Sequence, residues 1–143
     1  MYKKEVNMTE KELSRYFHLK KEIKDLKERL AKLGDDGIGG TEFTDMPKGM
    51  TIPESVEEMI AGLREKYIEL RVSALEEYIK IETYINTKVD DPEIRNIMRK
   101  RFLDLWKWED IGREYHSDRT TVSKKCRKYI EKLSHNSRQD VLL

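Results

Sequence analysis

Arg119, Thr120, Ser123, Lys124 and Arg127 can all donate hydrogen bonds, and their spacing places them on one face of a helix. The chemistry they suit is recognition rather than bond making. An arginine fork matches O6 and N7 of guanine in the DNA major groove, and each good pair contributes about 1–3 kcal/mol of discrimination between bases. These five are the candidate base contacts. Lys107, Lys125 and Lys128 are the candidate phosphate contacts, which give salt-dependent affinity without sequence information. Between Arg119 and Lys132 there are six basic residues and one acidic, a local charge of +5 in a chain whose net charge is +1. In a sequence with 40% charged residues the competing reading is a solvated basic helix face. DNA binding is preferred because the basic face coincides with a helix-turn-helix pattern.

Three helices have to position that face. The spacing predicts a short helix from Trp108 to Tyr115, a turn at His116 and Ser117, and a restart at Asp118, whose carboxylate suits an N-cap. Val122, Cys126, Tyr129 or Ile130, and Leu133 then form the apolar side of the second helix. Upstream, Asp91-Pro92 is an N-cap followed by proline at the first helical position. Ile94, Ile97, Met98, Phe102 and Leu105 follow at helical spacing, with Trp106 and Trp108 expected to close the core. Base stacking on the two tryptophans is the alternative, and core packing is favoured. Gly112 sits where the two helices of such a motif come closest, so its missing Cβ reads as a packing requirement.

The sequence offers little for catalysis, and no enzyme, cofactor or metal site is expected. Cys126 is the only cysteine and lies on an apolar face, where it reads as a small buried hydrophobe. His18, His116 and His135 share no metal-ligand spacing with it or with each other. Asp35-Asp36, Asp90-Asp91 and Glu109-Asp110 read as loop, cap and helix-start residues. The glycines between Gly34 and Gly40 lack the lysine and the strand–helix context of a phosphate loop.

The first half is patterned for paired helices. Thr9-Glu10-Lys11-Glu12 has capping-box form. Beyond it Tyr16, Leu19, Ile23, Leu26, Leu30 and Leu33 alternate in steps of three and four, a coiled-coil seam ended by Gly34. Residues 34–52 read as a flexible connector carrying five of the seven glycines, with burial of Phe43, Met46 and Pro47 as the alternative. A second helix begins near Pro53 to Ser55 and runs to Thr87, with Val56, Ile60, Leu63, Tyr67, Leu70, Ala74, Ile81 and Tyr84 as its stripe. Tyr78 is expected to displace that stripe by one residue at Glu77. The surplus apolar surface calls for a second copy, the C-terminal module or a partner protein as cover. The tail from Ser134 lacks a period and is expected to fray. No apolar run is long enough to span a bilayer, the N-terminus lacks the pattern of a signal peptide, and one cysteine suits a reducing cytoplasm.

Residues 92–133 resemble region four of the major bacterial sigma factors and the sigma-like half of phage late-gene regulators. The residues that carry the likeness are Arg101-Phe102, the acidic pair before Ile111, Gly112, and Thr121-Val122. Over nearly its whole length the chain resembles the RinA/ArpU-like late transcriptional regulators of prophages in Gram-positive bacteria. Those proteins have a helical first half, a Gly-rich middle with a Met-Pro-basic element (here Asp45-Met46-Pro47-Lys48-Gly49) and a basic module at the end. The chain departs from the pattern at His116, where the turn usually has glycine, and at Ser117, where the residue is usually apolar. His116 would have to adopt a left-handed conformation, which asparagine, aspartate and histidine tolerate best.

The resulting expectation is an all-α protein: an antiparallel coiled-coil helical hairpin over 8–88, then a three-helix helix-turn-helix DNA-binding domain over 89–135. The resemblance implies a phage or prophage regulator, an activator of late genes acting at a promoter with host RNA polymerase, in the host cytoplasm at the nucleoid. Its expected partners are double-stranded DNA, that polymerase, and a second copy through the coiled segment, with no membrane. The rivals are a DNA-packaging adaptor resembling a small terminase subunit, and a coiled-coil scaffold without duplex affinity.

Overall fold

A computed structural model describes residues 8–33 and 54–142, with side chains as far as His135, and every regular element among them is helical. The Gly-rich connector and the Asp45–Gly49 element lie outside the described residues.

Helix α1 (Glu10–Leu13) starts as the capping box requires, with the Glu12 amide donating to Thr9 Oγ1 at 3.2 Å. Both the amide and the hydroxyl of Ser14 then donate to the Glu10 carbonyl at 3.0 Å. A serine bonding back to the carbonyl four residues earlier bends a helix. The single helix expected from Thr9 to Leu33 is therefore interrupted, and resumes as α2 (Arg15–Lys32).

Helix α3 (Glu54–Lys88) runs 35 residues without a break. Ile60, Tyr67, Leu70, Ala74, Ile81 and Tyr84 are buried along one side, as the spacing predicts. Tyr78 does not take over that stripe. It is 38% exposed and meets the edge of Tyr16 at 5.5 Å, while Glu77 keeps the half-buried position. An unbroken helix holds its period, so one polar residue in the seam disturbs less than a shift of everything after it.

Asp91 caps α4 (Pro92–Met98), accepting the amides of Glu93 at 2.9 Å and Ile94 at 3.3 Å. A π-helical turn follows over Arg99–Leu103, with the Asp104 amide reaching the Arg99 carbonyl at 2.9 Å and the Trp106 amide reaching Lys100 at 2.8 Å. This wide turn accommodates one extra residue. It is why Phe102 and Leu103 are both buried, while Leu105 leaves the helical pattern at φ 62°. Helices α5 (Trp108–Glu114) and α6 (Arg119–Leu142) complete the chain. Contrary to the frayed tail expected from Ser134, α6 continues to Leu142, because no glycine or proline follows Leu133 to stop it.

Contacts divide the chain into two compact units, His18–Leu75 and the combination of Met1–Phe17 with Glu76–Leu143. The division therefore does not fall between residues 88 and 89. In the first unit Leu26 and Leu30 share a core with Ile60, Tyr67 and Leu70, flanked by half-buried Leu19, Ile23, Leu33, Val56 and Leu63. In the second, Met8 and Leu13 join Ile81, Tyr84 and Ile85 of α3, Ile94, Ile97 and Met98 of α4, Ile111 of α5, and Val122, Cys126 and Ile130 of α6. The segment from Met8 to Leu13 is thus part of the core beneath the basic helix.

One polar atom sits badly in that core. Tyr84 is fully buried, and its hydroxyl finds no hydrogen-bond partner among the described residues. Burial pushes its phenol from 10.0 up to about 12. Tyr84→Phe removes the desolvated hydroxyl and keeps the ring, so it should stabilise the unit by about 1 kcal/mol, read as a higher Tm. The native state holds its phenolic proton between pH 10 and 12 while the unfolded chain has lost it, so stability falls as pH rises through that window. The phenylalanine variant should lose less there. A lower Tm at neutral pH would mean that the hydroxyl is satisfied after all.

Candidate nucleic-acid interface

The turn between α5 and α6 is built from backbone. The Ser117 amide donates to the Gly112 carbonyl at 2.8 Å and the His116 amide to the Arg113 carbonyl at 3.3 Å. This pair of bonds is a Schellman closure, which needs a left-handed residue just past the helix. His116 is that residue, at φ 52°. Gly112 makes the close approach possible: a Cβ there would stand 2.5 Å from the Ser117 carbonyl oxygen and 3.3 Å from the Arg119 nitrogen. Asp118 precedes α6 as expected. Its carbonyl accepts from the Val122 amide at 3.2 Å, and its carboxylate lies 3.5 Å from the Thr121 hydroxyl.

With the turn set this way, Arg119, Thr120 and Ser123 line a cleft of about 320 Å³ together with Lys107, Trp108 and Glu109. Three candidate base contacts and one candidate phosphate contact therefore converge. Lys124 and Arg127 lie outside that lining, both exposed on α6, as are Lys125 and Lys128. Trp108 is half-buried against the core and also forms a wall of the cleft, with the Arg101 guanidinium 4.9 Å from its ring centre. Arg101 donates to the Trp106 carbonyl at 3.0 Å, and burial lowers its pKa. Trp106 does not close the core. It is 38% exposed, with the Lys100 ammonium 4.3 Å from its ring centre, because the wide turn and Leu105 carry it outward.

Sequence reasoning missed the carboxylates that attend these cations. Arg127 is held by Glu10 of α1, Nε to Oε2 at 3.0 Å and Nη2 to Oε1 at 3.4 Å. Lys125 pairs with Glu93 at 2.9 Å, Arg119 with Glu109 at 3.4 Å, and Lys100 with Glu114 at 2.8 Å. The hydrogen bond to Glu10 raises the pKa of Arg127, and that to Glu114 raises the pKa of Lys100. Lys107, Lys124 and Lys128 have no ion-pair partner among the described residues. Glu10 lies 117 residues from Arg127, so no spacing rule could have found it.

No protein family, curated protein or solved structure matches the chain. No helix among the described residues is long and apolar enough to cross a membrane. Cys126 is buried, and burial pushes its thiol up to about 12, which leaves it a poor nucleophile.

Proposed function

We propose that the chain is a non-enzymatic, sequence-specific DNA-binding regulator of phage or prophage origin. In this reading α4 to α6 act as a helix-turn-helix unit similar to sigma region four, and α2 with α3 forms an antiparallel hairpin. The observation that carries it is the Gly112–His116 closure, which sets Arg119, Thr120, Ser123 and Lys107 around one cleft beside a row of exposed lysines. α6 would enter the major groove with its first turns against base edges. Action at a late-gene promoter with host RNA polymerase rests on the family resemblance alone.

The test is selection of duplexes from a random library, followed by anisotropy titrations of the enriched sequence and a scrambled control at several salt concentrations. Arg119→Ala should weaken selective binding by roughly 10- to 100-fold and relax preference at one base position, in line with one lost arginine–guanine pair. Lys128→Ala should weaken binding to all duplexes alike and lower the salt slope by about 1. Glu10→Gln, which releases Arg127, should tighten binding. Equal, steeply salt-sensitive binding to every duplex would reduce α6 to a phosphate-holding surface and favour a packaging adaptor. Absence of duplex binding would favour a scaffold.

A further inference from the structure

Helix α3 has a second apolar face that the hairpin core does not use. Ile68, Val72, Leu75 and Ile79 are 55%, 50%, 62% and 64% exposed. They follow one another at steps of four, three and four, the heptad spacing of a coiled-coil seam. At 100° per residue they lie within roughly 60° of one another, and offset by roughly 80–180° from Tyr67 and Leu70 on the buried side. Isolated exposed apolar residues are ordinary, whereas four large ones aligned on one helix mark an interaction surface.

The register identifies the occupant. With Val72 and Ile79 at the a positions, Ile68 and Leu75 fall at d. In a parallel coil, β-branched residues at a with leucine at d, as at Leu75, favour two strands, whereas isoleucine at d, as at Ile68, does not. The residues flanking the seam then fall into two sets by charge. Arg64 and Arg71 occupy successive g positions, and Glu69 and Glu76 occupy successive e positions. In a parallel, in-register pair each g residue faces the e residue five positions on in the other helix. Arg71 thus meets Glu76 of a second copy, and Arg64 meets Glu69, twice each by symmetry. An antiparallel pair would set arginine against arginine and glutamate against glutamate. The seam is also bounded, since the next a and d positions on either side are Glu65 and Glu82. Glu82 is already engaged with Arg99 at 3.5 Å and Asn86 at 3.2 Å.

We infer that this face is a parallel, in-register homodimer interface, formed by Ile68, Val72, Leu75 and Ile79 of two copies and oriented by the Arg71–Glu76 and Arg64–Glu69 pairs. The inference stands apart from the proposed DNA reading, because it concerns a different face and needs no nucleic acid.

Light scattering on the full chain should give twice the 17.1 kDa of one copy. Leu75→Glu should return it to a single copy with unchanged helical circular dichroism, since Leu75 is exposed within the chain. Arg71→Glu should weaken the dimer, and adding Glu76→Arg to the same chain should restore it. Orientation is read from Val72→Cys and Ile79→Cys, each of which should cross-link to its own counterpart under oxidation, with buried Cys126 as the silent background. A single copy at every concentration, a larger assembly, or a dimer in which neither new cysteine cross-links would each overturn the inference.

Discussion

Leu13→Ala should destabilise the unit that holds the basic helix by about 2–5 kcal/mol, the cost of cutting a buried leucine to a methyl and leaving the space poorly filled. Leu13 is completely buried and lies in the same core as Ile81, Ile97, Val122, Cys126 and Ile130. Urea unfolding followed by tryptophan fluorescence reads this unit alone, since Trp106 and Trp108, the only two tryptophans, both belong to it. The same substitution at Leu26, in the other core, should leave that transition far less affected. If Leu13→Ala moves the transition by less than about 0.5 kcal/mol, the range of an ordinary surface substitution, the N-terminal segment is no part of this core.

The second large effect is expected at Gly112. An alanine inside a helix ordinarily gains up to about 1 kcal/mol over glycine. Here the added methyl would lie 2.5 Å from the Ser117 carbonyl oxygen, which belongs to the backbone and cannot rotate aside. Either the turn opens or α6 moves away from α5. Gly112→Ala should therefore cost about 1–3 kcal/mol net, with valine worse, and duplex affinity should fall with it. His116→Gly is the informative companion. It keeps the left-handed conformation at φ 52° with no Cβ penalty, so it should be neutral or slightly stabilising. If Gly112→Ala is as stable as the parent, the close approach of the two helices is wrong.

Much of the local structure was legible because it is written in neighbouring residues. Thr9 and Asp91-Pro92 mark helix starts through their own side chains, and Gly112 with His116 marks the turn through its steric demands. The arginines and lysines of α6 could be assigned to an exposed face because helical period alone separates them from Val122, Cys126 and Ile130. What the sequence concealed has no local period. The π-helical turn at Arg99–Leu103 adds one residue to a pattern that looks continuous, so Leu105 is only half-buried and Trp106 is exposed where the pattern predicts inward positions. Glu10, Glu93 and Glu109 look like ordinary first-turn acids, and only the fold brings them to Arg127, Lys125 and Arg119. Met8 and Leu13 look like the opening of a hairpin, yet the core they enter is assembled from α3 to α6.

That last arrangement has a consequence for the order of events during synthesis. Met8 and Leu13 are made before the other residues of their core, and Val122, Cys126 and Ile130 of the same core follow more than a hundred residues later. The Glu10–Arg127 pair measures the interval at 117 residues. Closing a chain segment of that length carries an entropic cost that grows with the logarithm of its length, so contacts of this kind form late and slow the folding of the unit that depends on them. Met8 and Leu13 therefore lack the Val122, Cys126 and Ile130 side of their core until α6 has been translated. A ribosome-bound chain ending before α6 should lack a finished C-terminal unit, and the basic helix should acquire its fixed setting only when α6 meets the segment around Met8 to Leu13.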